Sequence, residues 1–508
     1  MDVNLDHVLD IDEGRLMSGR PAMASAFQKA RLSGKPIVMH FHGGLVSRSS
    51  ALAGAPALQL FYESANAYPV IPVWKTGPWE VAQDIWLKIA VEALFKILVD
   101  RVAGLVHARM KDFVGTRSLS VERTLPSVTT DVLADSSTGD GDFSAAFLGL
   151  DVNSVRGEKD LALTDFQRKS MEEALRKDKE LNLVVDAVLQ GADLPLDEGM
   201  RSVDVSRAAL PLPSVADRNA LLELRGEANT RGLGVGTALA VITLVTKVIG
   251  RFIHRSDHGL HATVVEEVLR KFYLGAVGTA AWTKIKEYAT NAFAAGTQNA
   301  AGTALIDEIK AIPAEQRIML VGHSAGSIFI CELLKHFDGS DKRFEIVFLA
   351  PAATVDLFNE AVIKHQQFLA VASDGDLKFR MFSMNDKYES RDTLVRNTPV
   401  GDLTWFYPRS LLYLVSGILE EDAKGAAVDA AIAGMQRVYS PSYRNATMPE
   451  VLSVRAFVEG QSKRRVWAVQ DDPDTRLCSN STSHGGFGSP VKGNASMDSV
   501  AALLLQNW

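Results

Sequence analysis

Cysteine is almost missing from this chain: Cys331 and Cys478 are the only two among 508 residues, too few to imply a disulfide framework. Cys331 lies in an apolar helical stretch and reads as a buried thiol. Charge of one sign is scarce as well. The formal net charge is -7 and no long Lys or Arg run occurs, so there is no electrostatic footprint for nucleic acid and no nucleic-acid partner is expected. A clean membrane-spanning run is also lacking. The most apolar window, Gly234 to Ile249, contains Lys247 and is followed by Arg251, which leaves it short of the roughly 20 apolar residues of a spanning helix. It reads as a core or cap helix, with membrane contact as the lesser alternative. The segment Met1-Asp2-Val3-Asn4-Leu5-Asp6 has neither the basic leader nor the apolar core of a signal peptide, and the expected location is therefore cytoplasmic. Internal repeats and low-complexity tracts are not seen.

What is present suits an ordinary globular protein, long enough for one large catalytic domain and a sizeable addition. Short apolar runs broken by glycine mark buried parallel strands. The first is Lys35 to Phe41, leading into His42-Gly43-Gly44-Leu45-Val46. The second is Tyr68 to Trp74, weakened as a strand by Pro69 and Pro72. Residues 50 to 66 can form the crossover helix between them. From about residue 80 to 310 the pattern turns helical, over Ala82 to Val99, Asp165 to Gln190 and Val264 to Phe293, with loop-like stretches at Ser136 to Asp142 and Leu194 to Val215. Strand patterns return at Arg317 to Val321, Phe344 to Leu349, Leu377 to Ser383 and Arg465 to Val469, separated by helical stretches such as Ser410 to Glu420. The expected fold class is α/β, a doubly wound and mostly parallel sheet carrying a large helical insertion. Its parts are 1–80, the insertion or cap at 81–310, and 311–508.

Gly322-His323-Ser324-Ala325-Gly326 stands between one of these strands and the helix beginning near Ser327. A serine must project from a sharp turn to reach a substrate carbonyl, and small residues two places before and after it let the backbone pack that tightly. The following helix sets its first amides behind the serine, so the Ala325 N–H can meet developing negative charge. Here the chain resembles the α/β-hydrolase superfamily at its nucleophile elbow, and residues 35 to 46 look like the oxyanion loop of its esterases and lipases. The resemblance covers 35 to 80 and 315 to 495, about half the chain. It implies a serine nucleophile, Ser324, and the chain order serine, acid, histidine, with no metal and no cofactor.

Gly43 and Gly44 would bring main chain near the serine, and an amide of Gly44 or Leu45 could join that of Ala325; Leu45 departs from the fuller H-G-G-G pattern. His42 reads as a loop-orienting residue. The resemblance puts the acid after the 377 to 383 strand. Asp386 is the first choice there, with Asp392 and Asp356 as rivals. His484, in Ser481-Thr482-Ser483-His484-Gly485-Gly486-Phe487, follows the last strand and precedes a helix from Met497 to Leu505, the position expected of the base.

The insertion could cap the site, and its apolar helix with Trp405-Phe406-Tyr407 and Leu411 to Leu414 makes an apolar ester or lipid-like substrate plausible, unless these residues form the insertion's own core. His254, Asp257, His258 and His261 have ligand-type side chains at short spacing, but Gly259 interrupts the helix and a turn is the favoured reading. The leading function is carboxylic-ester hydrolysis through an acyl-serine. Thioester or amide cleavage, a membrane-associated lipase, and an inactive binding protein on the same fold are the alternatives.

Overall fold

A computed structural model describes residues 7–44, 46–74, 79–118, 152–189, 235–273, 279–337, 340, 342–373, 376–393, 405–422, 425–426, 428–506 and 508. The expected loops at 136–142 and 194–215 lie outside them. The chain divides into two compact units. One is built from 1–80, 280–392 and 430–508, the other from 81–279 and 393–429.

The first unit is organised on an eight-stranded sheet. Its strands are β1 (Val8–Asp12), β2 (Arg15–Leu16), β3 (Ile37–Phe41), β4 (Tyr68–Trp74), β5 (Ile318–His323), β6 (Glu345–Leu349) and β7 (Lys378–Met384). A small hairpin in the other unit supplies β8 (Glu421–Asp422) and β9 (Gly425–Ala426), and β10 (Arg465–Ala468) completes the sheet. The order is β10-β7-β6-β5-β3-β4-β1-β2, parallel throughout except for the short edge strand β2. Residues of β3, β5 and β6 are buried almost without interruption, as a parallel sheet covered on both faces requires. On one face Val38, Val321, Val347, Phe382 and Val466 pack with Tyr62 and with Val500 and Leu503 of the helix Ala495–Gln506. On the other, Phe41 stacks on Phe329, and Phe348 and Phe379 meet Phe358. Alternation along each strand thus sends neighbouring residues to two separate cores.

The prolines of β4 are accommodated by its change of partner. It pairs with β3 over Tyr68 to Val70 and with β1 over Ile71 to Trp74. The Tyr68 N–H donates to Pro36 O, so even-numbered amides face β3 and odd-numbered ones face β1. Pro69 therefore precedes the β1 pairing on that side, and Pro72 lies beyond the β3 pairing on the other. Neither ladder needs the N–H that proline lacks.

Chain order puts a switch point in this sheet. The chain passes from β3 to β4 on one side of β3, and β5 then pairs on the other. The carboxyl ends of β3 and β5 therefore lie at the topological switch point, the usual ligand position in a doubly wound sheet.

The second unit is mainly helical. Its central helix, Val235–Ile253, is long and apolar enough to cross a membrane, but 67% of its most apolar window is buried. Phe406, Tyr407, Leu411 and Leu412 are buried as well, within this unit's core. A polar knot lies inside it. Arg251 pairs with Glu266 at 2.5 Å and with Glu267 at 3.3 Å, while Tyr407 Oη–H donates to Glu266 Oε1 at 2.5 Å and His258 Nδ1 lies 2.7 Å from the same oxygen. Burial alone would raise the Glu266 carboxyl, but the Arg251 guanidinium and these hydrogen bonds hold it well below the usual carboxylate range. Gly417 leaves room for the knot: a β-carbon there would meet the Glu266 carboxyl at 2.6 Å. Removing one partner of a buried pair strands the other without compensation. Glu266→Ala is therefore expected to destabilise the helical unit by about 3–5 kcal/mol, read as lost hydrogen-exchange protection across Leu260–Phe272; unchanged protection there would refute the assignment.

Candidate active site

Ser324 follows the last residue of β5 and has φ 52°, a left-handed conformation that costs a non-glycine residue about 1–3 kcal/mol. Hydrogen bonds fix it there. The Ser324 N–H donates to Leu349 O at 2.9 Å, and Ser324 O accepts from the Ser327 hydroxyl at 2.7 Å and from the Ala352 N–H at 3.2 Å. Ser327 Oγ also accepts the Ala353 N–H, bracing the bend against the loop after β6. Both flanking glycines are required by space. A β-carbon on Gly326 would lie 2.2 Å from Phe41 O, and one on Gly322 would lie 2.9 Å from Ser327 N.

The loop after β3 closes on this bend. A β-carbon on Gly43 would come within 3.1 Å of Ser324 Cβ, and one on Gly44 within 3.0 Å of Ala325 Cβ. His42 Nδ1–H donates to Gly43 O at 2.8 Å, and Trp74 Nε1–H donates to His42 O at 3.0 Å, so His42 shapes the loop from within. Leu45 lies outside the described residues. Ala325 precedes the helix Gly326–Leu334, where the first amides have no partner within the helix.

His484 Nε2 stands 2.8 Å from Ser324 Oγ, although 160 residues separate them. Both are buried, at 6% and 2% exposure. For Nε2 to accept the serine proton, the imidazole must carry its own proton on Nδ1; that atom is buried and has no hydrogen-bond partner among the described residues. The histidine-bearing segment has little regular structure and is held by side chains. Asn494 Nδ2 donates to Gly486 O and Ser489 O, while its Oδ1 accepts the Ser496 N–H of the terminal helix. Ser479 and Ser481 both bond to the Ser496 hydroxyl.

The three carboxylates considered for the acid differ in position. Asp386, the first choice, is exposed; it opens the short helix Asp386–Glu389 capped by Asn385, and its N–H donates to Gln436 Oε1. Asp356 is exposed in the first turn of Val355–Phe358. Asp392 is buried, and its Oδ2 accepts the main-chain N–H of His484 at 2.8 Å. The capped turn carries the chain on to Asp392, eight residues past β7, before a carboxylate meets residue 484, a detour that the strand pattern did not reveal.

No family model, curated protein or solved structure matches the chain. Sequence reasoning missed Asn494, Ser496 and Ser327, whose residue types carry no signal apart from the bonds they make. The spacing of His254 to His261 leads elsewhere: Asp257 pairs with Arg156 at 2.6 Å, His258 joins the knot around Glu266, and His261 Nε2–H donates to Trp405 O at 2.6 Å. Gly259, at φ 85°, begins the helix Leu260–Phe272.

Burial pushes His484 down from 6.5 to about 3, with His323 contributing, and pushes His42 down to about 4. These rings stay neutral in the fold yet take up protons in the unfolded chain below about pH 6.5. The unfolded state then binds more protons, so stability present at neutral pH is lost as pH falls from about 6.5 toward 4. The urea midpoint is expected to be lower at pH 5 than at pH 7, and His484→Gln should reduce this difference; an identical pH dependence in the variant would contradict the burial of that ring.

Proposed function

We propose that the chain is a serine hydrolase of the α/β-hydrolase type that cleaves a carboxylic ester. The observation that carries the reading is the 2.8 Å approach of His484 Nε2 to the hydroxyl of a serine held at positive φ on a strand-to-helix bend. Few structural needs would bring a strained serine and a buried imidazole together from such distant parts of the chain. The proposed roles follow from the chemistry. Ser324 Oγ attacks the substrate carbonyl carbon while His484 Nε2 takes its proton. The resulting oxyanion meets the Ala325 N–H and an amide of the Gly44–Leu45 segment. Collapse of this intermediate expels the alcohol, which receives the proton from His484, and leaves an acyl-serine. Water, deprotonated by the same imidazole, then releases the acid and restores Ser324.

Asp392 is the proposed acid, replacing Asp386. Its Oδ2 already accepts the main-chain N–H of His484, which keeps this buried carboxylate at the residue whose ring it would serve. A solvent-exposed carboxylate such as Asp386 would hold a buried imidazole poorly. Thioesters and amides pass through the same oxyanion and remain within the chemistry of this site. The apolar helix Val235–Ile253 is packed mostly inside its own unit, so the proposal invokes no lipid-facing surface.

The test is covalent labelling by a fluorophosphonate together with turnover of p-nitrophenyl butyrate. Ser324→Ala is expected to abolish labelling, and His484→Gln to lower turnover by about 10³-fold or more. Asp392→Asn should lower kcat by about 10²–10⁴-fold, with Asp386→Asn within about threefold of the parent. Labelling that survives Ser324→Ala would end the proposal, and equal losses in both aspartate variants would remove Asp392 as the acid.

A further inference from the structure

The ring of His323, the residue before the serine, plays no part in the chemistry above, yet three parts of the site converge on it. His323 closes β5, where it pairs with Leu349 of β6, so its main chain is fixed by the sheet. Its Nε2 lies 3.0 Å from the main-chain oxygen of His484. A carbonyl can only accept, so Nε2 carries the proton and donates it. The ring lies between two glycines of different loops: a β-carbon on Gly43 would stand 3.3 Å from His323 Nδ1, and one on Gly488 would stand 3.1 Å from it. Any larger residue at either place would crowd the ring.

Residue 484 is thus gripped at both main-chain polar groups by side chains from two different strand ends. Asp392, beyond β7, takes its N–H, and His323, at the end of β5, supplies a donor to its C=O. We propose that His323 is a positioning residue, which sets the His484 imidazole against Ser324 by holding the carbonyl of residue 484. The inference rests on the hydrolase reading for its catalytic consequence, but the clamp itself does not. Burial lowers the pKa of the His323 ring, which favours the neutral imidazole that donates from Nε2. Misplacement of a reacting group by about 1 Å can cost 10²-fold in rate, which is why a single donor at this point matters.

The experiment compares His323→Phe, which keeps a flat ring without a donor, with His323→Gln, whose side-chain amide can return an N–H to about the same place. Two readouts are taken: hydrogen exchange over residues 479–489, which needs no activity, and steady-state turnover of p-nitrophenyl butyrate. His323→Phe is expected to speed exchange in that segment and to lower kcat by about 10–100-fold with KM within about threefold. His323→Gln should restore most of both. Unchanged exchange in His323→Phe would overturn the clamp, whatever the activity. Faster exchange with unchanged kcat would overturn the positioning role, as would equal losses of kcat in the two variants. An inactive parent protein whose 479–489 segment still loosens in His323→Phe would refute the hydrolase reading, and with it the positioning role, while leaving the clamp in place.

Discussion

The site depends on how closely the backbone after β5 can approach the end of β3. With 2.2 Å between Phe41 O and the place a β-carbon would occupy on Gly326, no other residue fits without moving one of the two strands. That approach lets the helix Gly326–Leu334 start directly behind the sheet and forces the bend at Ser324. The left-handed backbone there is unfavourable by about 1–3 kcal/mol, and the bonds from Leu349, Ser327 and Ala352 offset it only because β6 and its loop are themselves fixed by the sheet. Strain at the serine is therefore supported by elements that carry no functional group.

The same constraint explains which parts of the site were legible in the sequence. The bend announces itself because its requirements are local: two glycines around a serine, with a strand before and a helix after. His484 was placed by its position after the last strand and by the glycines beside it. The acid was left open between Asp386, Asp392 and Asp356 because the end of β7 is a local signal and contact with residue 484 is not. Asn385 caps a short helical turn that leaves Asp386 exposed, and eight residues past the strand the chain offers Asp392 to the main chain of residue 484. Nothing in the spacing distinguishes these two aspartates; only the tertiary path of the histidine-bearing segment does. For the same reason the serines and Asn494 that secure this segment could not be picked out, since each acts through a bond to a residue made its neighbour by folding.

The fold was readable where hydrophobic runs were long. The strands at 37–41, 318–323, 345–349, 378–384 and 465–468 follow the expected runs closely, and the prolines of β4, a reason to doubt that strand, fall where its ladders have no use for their amides. The first two strands escaped notice because Val8–Asp12 carries two aspartates and Arg15–Leu16 is too short to have a pattern. In the helical patterns the type of structure was clear and the breaks were not: Val264 to Phe293 comprises two helices, Leu260–Phe272 and Thr279–Asn291. The apolar segment at 234–249 looked the same whether it faced lipid or protein. In the structure Arg251 at its far end is buried with two glutamates, and 67% of its most apolar window is buried.

On the hydrolase reading, burial makes a demand on the site that its geometry must meet. An imidazole held neutral down to about pH 3 resists taking a proton, yet it must become charged at the moment the substrate oxygen becomes an anion. In a dry site neither charge is tolerable alone. The two arise together and stabilise each other across the serine, with the amides near Ala325 facing the anion. That leaves the far side of the ring, where Nδ1 is buried without a partner among the described residues. A carboxylate must approach there for the cation to form at useful cost, and Asp392 is already bound to the same residue by the adjacent main-chain N–H. The neutral state thus keeps the acid near while the ring carries no charge, and protonation of the ring supplies the attraction that would draw the carboxylate onto Nδ1. A histidine this thoroughly desolvated makes the negative charge of its partner a condition of the reaction, since orientation alone could not offset the loss of solvent around an imidazolium.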